Sequence, residues 1–158
     1  ICVPLTYTIE DRTLPLLGLS TFRWLGLKIY TAALYTEPQH ADIDAVVGPV
    51  PKALVIYYHR SFEPADFIES SRQLIEDNPN VRIDELSDPL QRMDALYREV
   101  TPGDRYTLEF HPGRGTALVL NSERLGTVSG DNFAAAYFGI WLSRYSISES
   151  FTKRLLRG

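Results

Sequence analysis

The sequence holds a single cysteine, Cys2, which excludes an internal disulfide framework and any cysteine-based metal cluster. With no pair to oxidise or keep reduced, cysteine usage fits either kind of redox compartment. Three histidines, His40, His59 and His111, stand far apart and show none of the spacings of a metal site. No G-x-S-x-G is present, and no phosphate-cradling glycine loop precedes a helix; Gly113-Arg114-Gly115 reads instead as a hairpin turn. No apolar run approaches the ~20 residues of a membrane-spanning helix. Basic residues nowhere form a block, and the net charge is −4, so nucleic acid is not an expected partner. Neither a metal nor a cofactor is expected.

What remains is an ordinary globular composition: 158 residues, 44% hydrophobic and 23% charged, without repeats or linker-like stretches. We read residues 1–158 as one domain, large enough to bury roughly two-thirds of its unfolded surface. The chain starts at Ile1 rather than Met; a removed secretory signal or simple trimming would each account for that.

Hydrophobic periodicity gives the elements. Val3, Leu5, Tyr7 and Ile9 alternate at period two and predict a first strand, closed by a turn at Asp11-Arg12. Leu14–Trp24 and Leu25–Thr36 predict two more, the second apolar on both faces and therefore covered on two sides. Ala53–Arg60 is a further strand. Pro64 suits the first position of a helix carrying Phe67, Ser71, Leu74 and Ile75 up to Asn78-Pro79. A second helix opens at Asp88-Pro89, with Leu90, Met93, Leu96, Tyr97 and Val100 on one stripe, and breaks at Pro102-Gly103-Asp104. Strands follow at 105–110, 116–120 and 125–128. Phe133–Leu142 is apolar nearly all round and predicts a helix buried between layers. Ser146-Ile147-Ser148-Glu149 reads as a capping box for a last helix with Phe151, Leu155 and Leu156 inward. The class is α+β: an antiparallel sheet in two blocks, each followed by helices.

Chemistry is concentrated in aromatic and hydroxyl groups on strands. Tyr30, Tyr35, Tyr57, Tyr58 and Tyr106 accompany Arg23, Lys28 and Arg60. Such a set either sends phenols from a core to its rim, or lines an apolar cleft with a cation at one end. The second arrangement would hold an apolar ligand bearing a carboxylate or carbonyl.

At this point the residues resemble a family. The run from Gly18 to Tyr35, with Arg23 ahead of a strand ending Tyr30-Thr31-Ala32-Ala33-Leu34-Tyr35, is similar to bacterial chalcone isomerase-like proteins. Tyr57-Tyr58-His59-Arg60, Pro102-Gly103-Asp104-Arg105, Leu120 to Gly126, and Phe133 to Leu142 followed by Ser146-Ile147-Ser148-Glu149 agree with that family in order. The resemblance implies an open-faced β-sandwich: a long curved antiparallel sheet, a layer of helices on one face, and a ligand cleft between. It also implies no cofactor and an exported, periplasmic bacterial protein with its signal removed. The family includes chalcone-closing plant enzymes and plastid fatty-acid-binding proteins.

Carried over by resemblance, Arg23 takes the place of the enzyme arginine, and the strand threonine falls on Tyr30, with Thr31 one residue off on the other face. The catalytic tyrosine falls on Phe67 and the substrate-touching helical pair on Ile140 and Trp141, all without a hydroxyl. Chalcone closure is therefore not expected. The resemblance implies binding without turnover: Arg23 and Tyr30 on a fatty-acid-like carboxylate, with Phe67, Phe138, Ile140 and Trp141 walling an apolar tunnel. Two other readings stay open. Trp24 or Trp141 fills the cleft and the surface serves a protein partner, or the chain is an intramolecular lyase or isomerase acting on another enone.

Overall fold

A computed structural model describes residues 2–157; Ile1 and Gly158 lie outside the described residues. Seven strands, β1 (Thr6–Ile9), β2 (Arg12–Trp24), β3 (Leu27–Thr36), β4 (Lys52–Tyr58), β5 (Arg105–His111), β6 (Gly115–Leu120) and β7 (Glu123–Val128), form one antiparallel sheet in chain order. Four α-helices, α1 (Pro64–Glu76), α2 (Ser87–Asp94), α3 (Asp131–Leu142) and α4 (Glu149–Arg157), complete the fold. The expected α+β class, with an open-faced curved sheet under helices, is what forms. The two strand blocks join into one sheet because β4 pairs with β5 from Lys52–Phe110 to Tyr57–Arg105 across the helical insertion.

The inner face of the sheet carries Tyr30, Ala32 and Leu34 of β3 into the main core with α1, α2, α3 and α4. The outer face carries Ala33 and Tyr35 into a smaller core with Ile9, Leu14, Ala53 and Val55. Strand β3 is thus covered on both sides, as its sequence predicts, because the β1–β2 hairpin folds across the outer face. Tyr35 Oη anchors that cover by donating to Pro4 O at 2.7 Å, and Tyr7 Oη donates to Glu109 of β5.

A bulge lets β2 serve both faces. Leu14 and Leu16 pack in the outer core, whereas Leu17 and Phe22 pack in the inner one, and the β2–β3 register shifts between Leu16 and Gly18. One extra residue reverses the alternation. Beyond it α4 lies directly on β2: a Cβ on Gly18 would sit 2.7 Å from Arg154 O. Helix α3 is buried along most of its length between α1, α4 and the sheet, as an all-round apolar helix must be.

Three local expectations change. The first strand starts at Thr6, because the chain bends at Leu5 and leaves that side chain exposed. Helix α2 stops at Asp94, short of Val100: Tyr106 Oη accepts the Arg98 N–H and donates to Arg98 O, which fixes a non-helical backbone, and Val100 pairs with Phe62 in an isolated bridge. The last helix takes Ser148 rather than Ser146 as its cap, with Phe151 N–H donating to Ser148 Oγ at 3.3 Å. Ser146 Oγ instead donates to Ser148 O and accepts from Thr152 Oγ1.

Candidate functional site: a cavity between sheet and helices

The inner face of the curved sheet and the helix layer do not close on each other completely. Between them lies a cavity of ≈ 650 Å³, within the size range of small-molecule sites. The strands β4, β5 and β6 supply its floor with Ile56, Tyr58, Tyr106, Leu108 and Leu118. Phe67 and Leu74 come from α1, and Ile140 and Trp141 from α3. Phe22, Ile29 and Ile147 close one end. Exposed Asp66, Glu69, Ser70 and Gln73 bring α1's polar flank to the opening.

Local sequence explains these placements. Alternation along β4 puts Leu54, Ile56 and Tyr58 on the inner face. Helix α1 begins at Pro64, where the Glu63 N–H donates to Asp66 Oδ2 at 2.8 Å, and its three-to-four spacing turns Phe67, Ser71 and Leu74 inward.

The walls form an aromatic lattice. The Tyr58 ring meets Tyr30, Phe62, Phe67 and Tyr106 edge-on, with centroids 5.6–6.1 Å apart. Phe67 stacks on Tyr97 at 4.9 Å. Most of the phenols are engaged: Tyr30 Oη accepts the Trp141 indole N–H at 3.1 Å, Tyr97 and Tyr137 share a hydrogen bond, and Tyr106 is tied to Arg98. Among the described residues Tyr58 Oη has no such partner. Burial and the neighbouring phenols of Tyr30, Tyr106 and Tyr137 raise its pKa well above the usual tyrosine range. Tyr58 therefore presents a neutral O–H donor to the cavity.

The six residues singled out in the sequence divide. Tyr30, Phe67, Ile140 and Trp141 come together in the cavity wall. Arg23 does not: it is exposed, and as the neighbour of the inward-facing Phe22 it sits on the opposite, outer side of the sheet. Counting in twos from Leu14 places Arg23 on the helix side, and the bulge at Leu17 reverses that count. Phe138 lies at the other end of the core, where its ring faces the Lys52 ammonium at 4.9 Å. No Lys, Arg or His lines the cavity among the described residues, so its interior holds no cation for a carboxylate. Trp24 is at the tip of the β2–β3 hairpin, 63% exposed, and fills nothing. Tyr58 and Tyr106, read in the sequence only as part of the phenol-rich strand set, join the wall, whereas Ile56, Leu108 and Leu118 were not singled out for the site; alternation along β4 was the available signal for Ile56.

The chalcone isomerase-like family profile matches residues 1–157. The chain belongs to the chalcone isomerase-like family. No curated protein matches it by sequence. Among solved structures, the Arabidopsis thaliana fatty-acid binding protein superposes with a TM-score of 0.71, at 14% identity over 98% of this chain and 91% of that one. That superposition shows the shared fold of the chalcone isomerase-like chain. The arrangement of its cavity follows from this chain's own residues: Phe67, Ile140 and Trp141 bring no hydroxyl to its wall, and Arg23 does not line it.

Proposed function

We propose that this chalcone isomerase-like protein binds a small apolar or amphipathic molecule in the cavity between sheet and helices, without turnover. One observation carries the reading: an apolar cavity of ≈ 650 Å³ in whose wall, among the described residues, Tyr58 Oη is the phenol with no hydrogen-bond partner. Its apolar walls favour transfer of hydrocarbon from water, and Tyr58 can donate to one carbonyl or hydroxyl. Charge then sets the orientation. With no cation inside and with Asp66 and Glu69 at the opening, a fatty-acid-like carboxylate would stay in water while the chain enters tail-first. A ligand with a neutral polar end would fit deeper. The fold shared with a fatty-acid binding protein supports this class of ligand, and the resemblance to exported bacterial members supports a place outside the cytoplasm.

Native mass spectrometry of freshly purified protein, followed by organic extraction, tests the reading. A co-purifying apolar molecule at one per chain is expected. A clean apo mass that persists after incubation with mixed neutral lipids and fatty acids would overturn it and return the chain to a surface-acting role.

A further inference from the structure

The tip of the β2–β3 hairpin breaks three local rules at once. Trp24 pairs with Leu27 across a two-residue loop, Leu25-Gly26, in which φ is +52 and +81. Positive φ at both loop positions is the requirement of a type I′ turn, for which Asn-Gly is the favoured sequence. A leucine there is sterically strained. That leucine is also 86% exposed, beside Trp24 at 63% and Leu27 at 49%. One step down the ladder Arg23 stands directly opposite Lys28, both exposed, and like charges in that relation repel. Arg60 is exposed nearby, one residue beyond the His59 N–H that donates to Ile29 O at 2.9 Å.

Neither Arg23, Lys28 nor Arg60 has an ion-pair partner among the described residues, and from Thr13 to Thr36 the sequence has no acidic residue. The acidic chain thus gathers unpaired positive charge and three of the six exposed large apolar side chains among the described residues, Trp24, Leu25 and Leu27, on one turn. Folding gains nothing from this arrangement: strain, exposed leucine and facing cations all work against it.

We propose that the Trp24-Leu25-Gly26-Leu27 tip docks on an anionic lipid surface. Leu25 and Leu27 enter the acyl boundary, Trp24 sits at the headgroup level, and Arg23, Lys28 and Arg60 contact lipid phosphates. The surface relieves the Arg23–Lys28 repulsion and buries the leucine that water now touches. The hairpin below the tip leads to Phe22 and Ile29, which close one end of the cavity, so docking brings that end to the lipid. The inference stands on the tip alone and does not require the cavity to hold a ligand.

The test is co-sedimentation of the chain with vesicles of phosphatidylcholine alone or mixed with phosphatidylglycerol, at two salt concentrations. Binding is expected to the mixed vesicles, weakening as salt rises. Leu25→Asn supplies the favoured turn residue, so it should keep or raise the melting temperature while lowering partition about tenfold or more. The pair Arg23→Gln and Lys28→Gln should lower it by about tenfold or more as well. Absence of binding to either vesicle overturns the proposal, as does wild-type partition by Leu25→Asn. So does a concentration-dependent dimer that Leu25→Asn dissolves, which would assign the tip to a second copy of the chain.

Discussion

Trp141 of α3 donates its indole N–H to Tyr30 Oη of β3 at 3.1 Å, and this buried bond ties the helix layer to the sheet beside the cavity. Burial raises the Tyr30 pKa above its usual range, so the phenol stays neutral across ordinary pH. Tyr30→Phe leaves the indole N–H unpaired in an apolar setting. A loss of about 1–3 kcal/mol is expected in urea denaturation at neutral pH.

Gly18 makes a contrasting prediction, because here a group is added rather than removed. Its missing Cβ lets the α4 backbone rest on β2, and Gly18→Ala would push a methyl against the carbonyls of Arg154 and Leu155. Backbone cannot step aside as a side chain can, so destabilisation of about 1–3 kcal/mol or more is expected. A far-ultraviolet spectrum with reduced helix signal would locate the loss in α4.

The same bulge that places Gly18 explains what was legible in the sequence. Strand β3 could be read as two-sided and α3 as buried because each pattern is local and unbroken. The Leu14–Trp24 segment could be read as a strand but not assigned its faces, since a bulge at Leu17 leaves no mark in apolar periodicity. Arg23 and Phe138 were both placed in the cleft by resemblance; the bulge turns Arg23 away from it, and Phe138 packs on Lys52 instead. Helix α2 was read too long because the Tyr106–Arg98 bonds that stop it are tertiary.

Lys52 sets the pH dependence of stability. Its ammonium is buried on β4, donates to Gly48 O at 2.8 Å and Val50 O at 3.3 Å, and lies over the rings of Phe110 and Phe138. Desolvation nevertheless lowers its pKa to about 7, with Asp131 opposing. Because the folded pKa lies below the unfolded one, between about pH 7 and 10 the unfolded chain binds the extra proton. Stability must therefore rise with pH over that window. The buried tyrosines act oppositely above pH 10: Tyr35 is pushed up to about 12 and Tyr58, Tyr97 and Tyr137 also up, so the unfolded chain loses protons first and stability falls. Denaturation midpoints should peak near pH 9–10, and Lys52→Met should flatten the rise without touching the fall.

Tyr58 distinguishes binding from folding. Its phenol has no protein partner to lose, so Tyr58→Phe should leave stability within about 0.5 kcal/mol of the wild type. Affinity for a long-chain ketone or alcohol should drop about five- to tenfold, while affinity for a plain hydrocarbon of equal length should not change. Calorimetric titration of both ligands into both proteins checks this.

On the proposed function, the space under α1 takes an apolar molecule. Leu74 lines it and is partly exposed, so a larger side chain there can grow into the cavity without displacing buried neighbours. The direct measurement is equilibrium titration of a neutral fluorescent apolar probe into the wild type and Leu74→Trp, with circular dichroism confirming that both are folded. One saturable site is expected in the wild type, and its loss in Leu74→Trp. Equal saturable binding by both proteins, or none by the wild type, would contradict it.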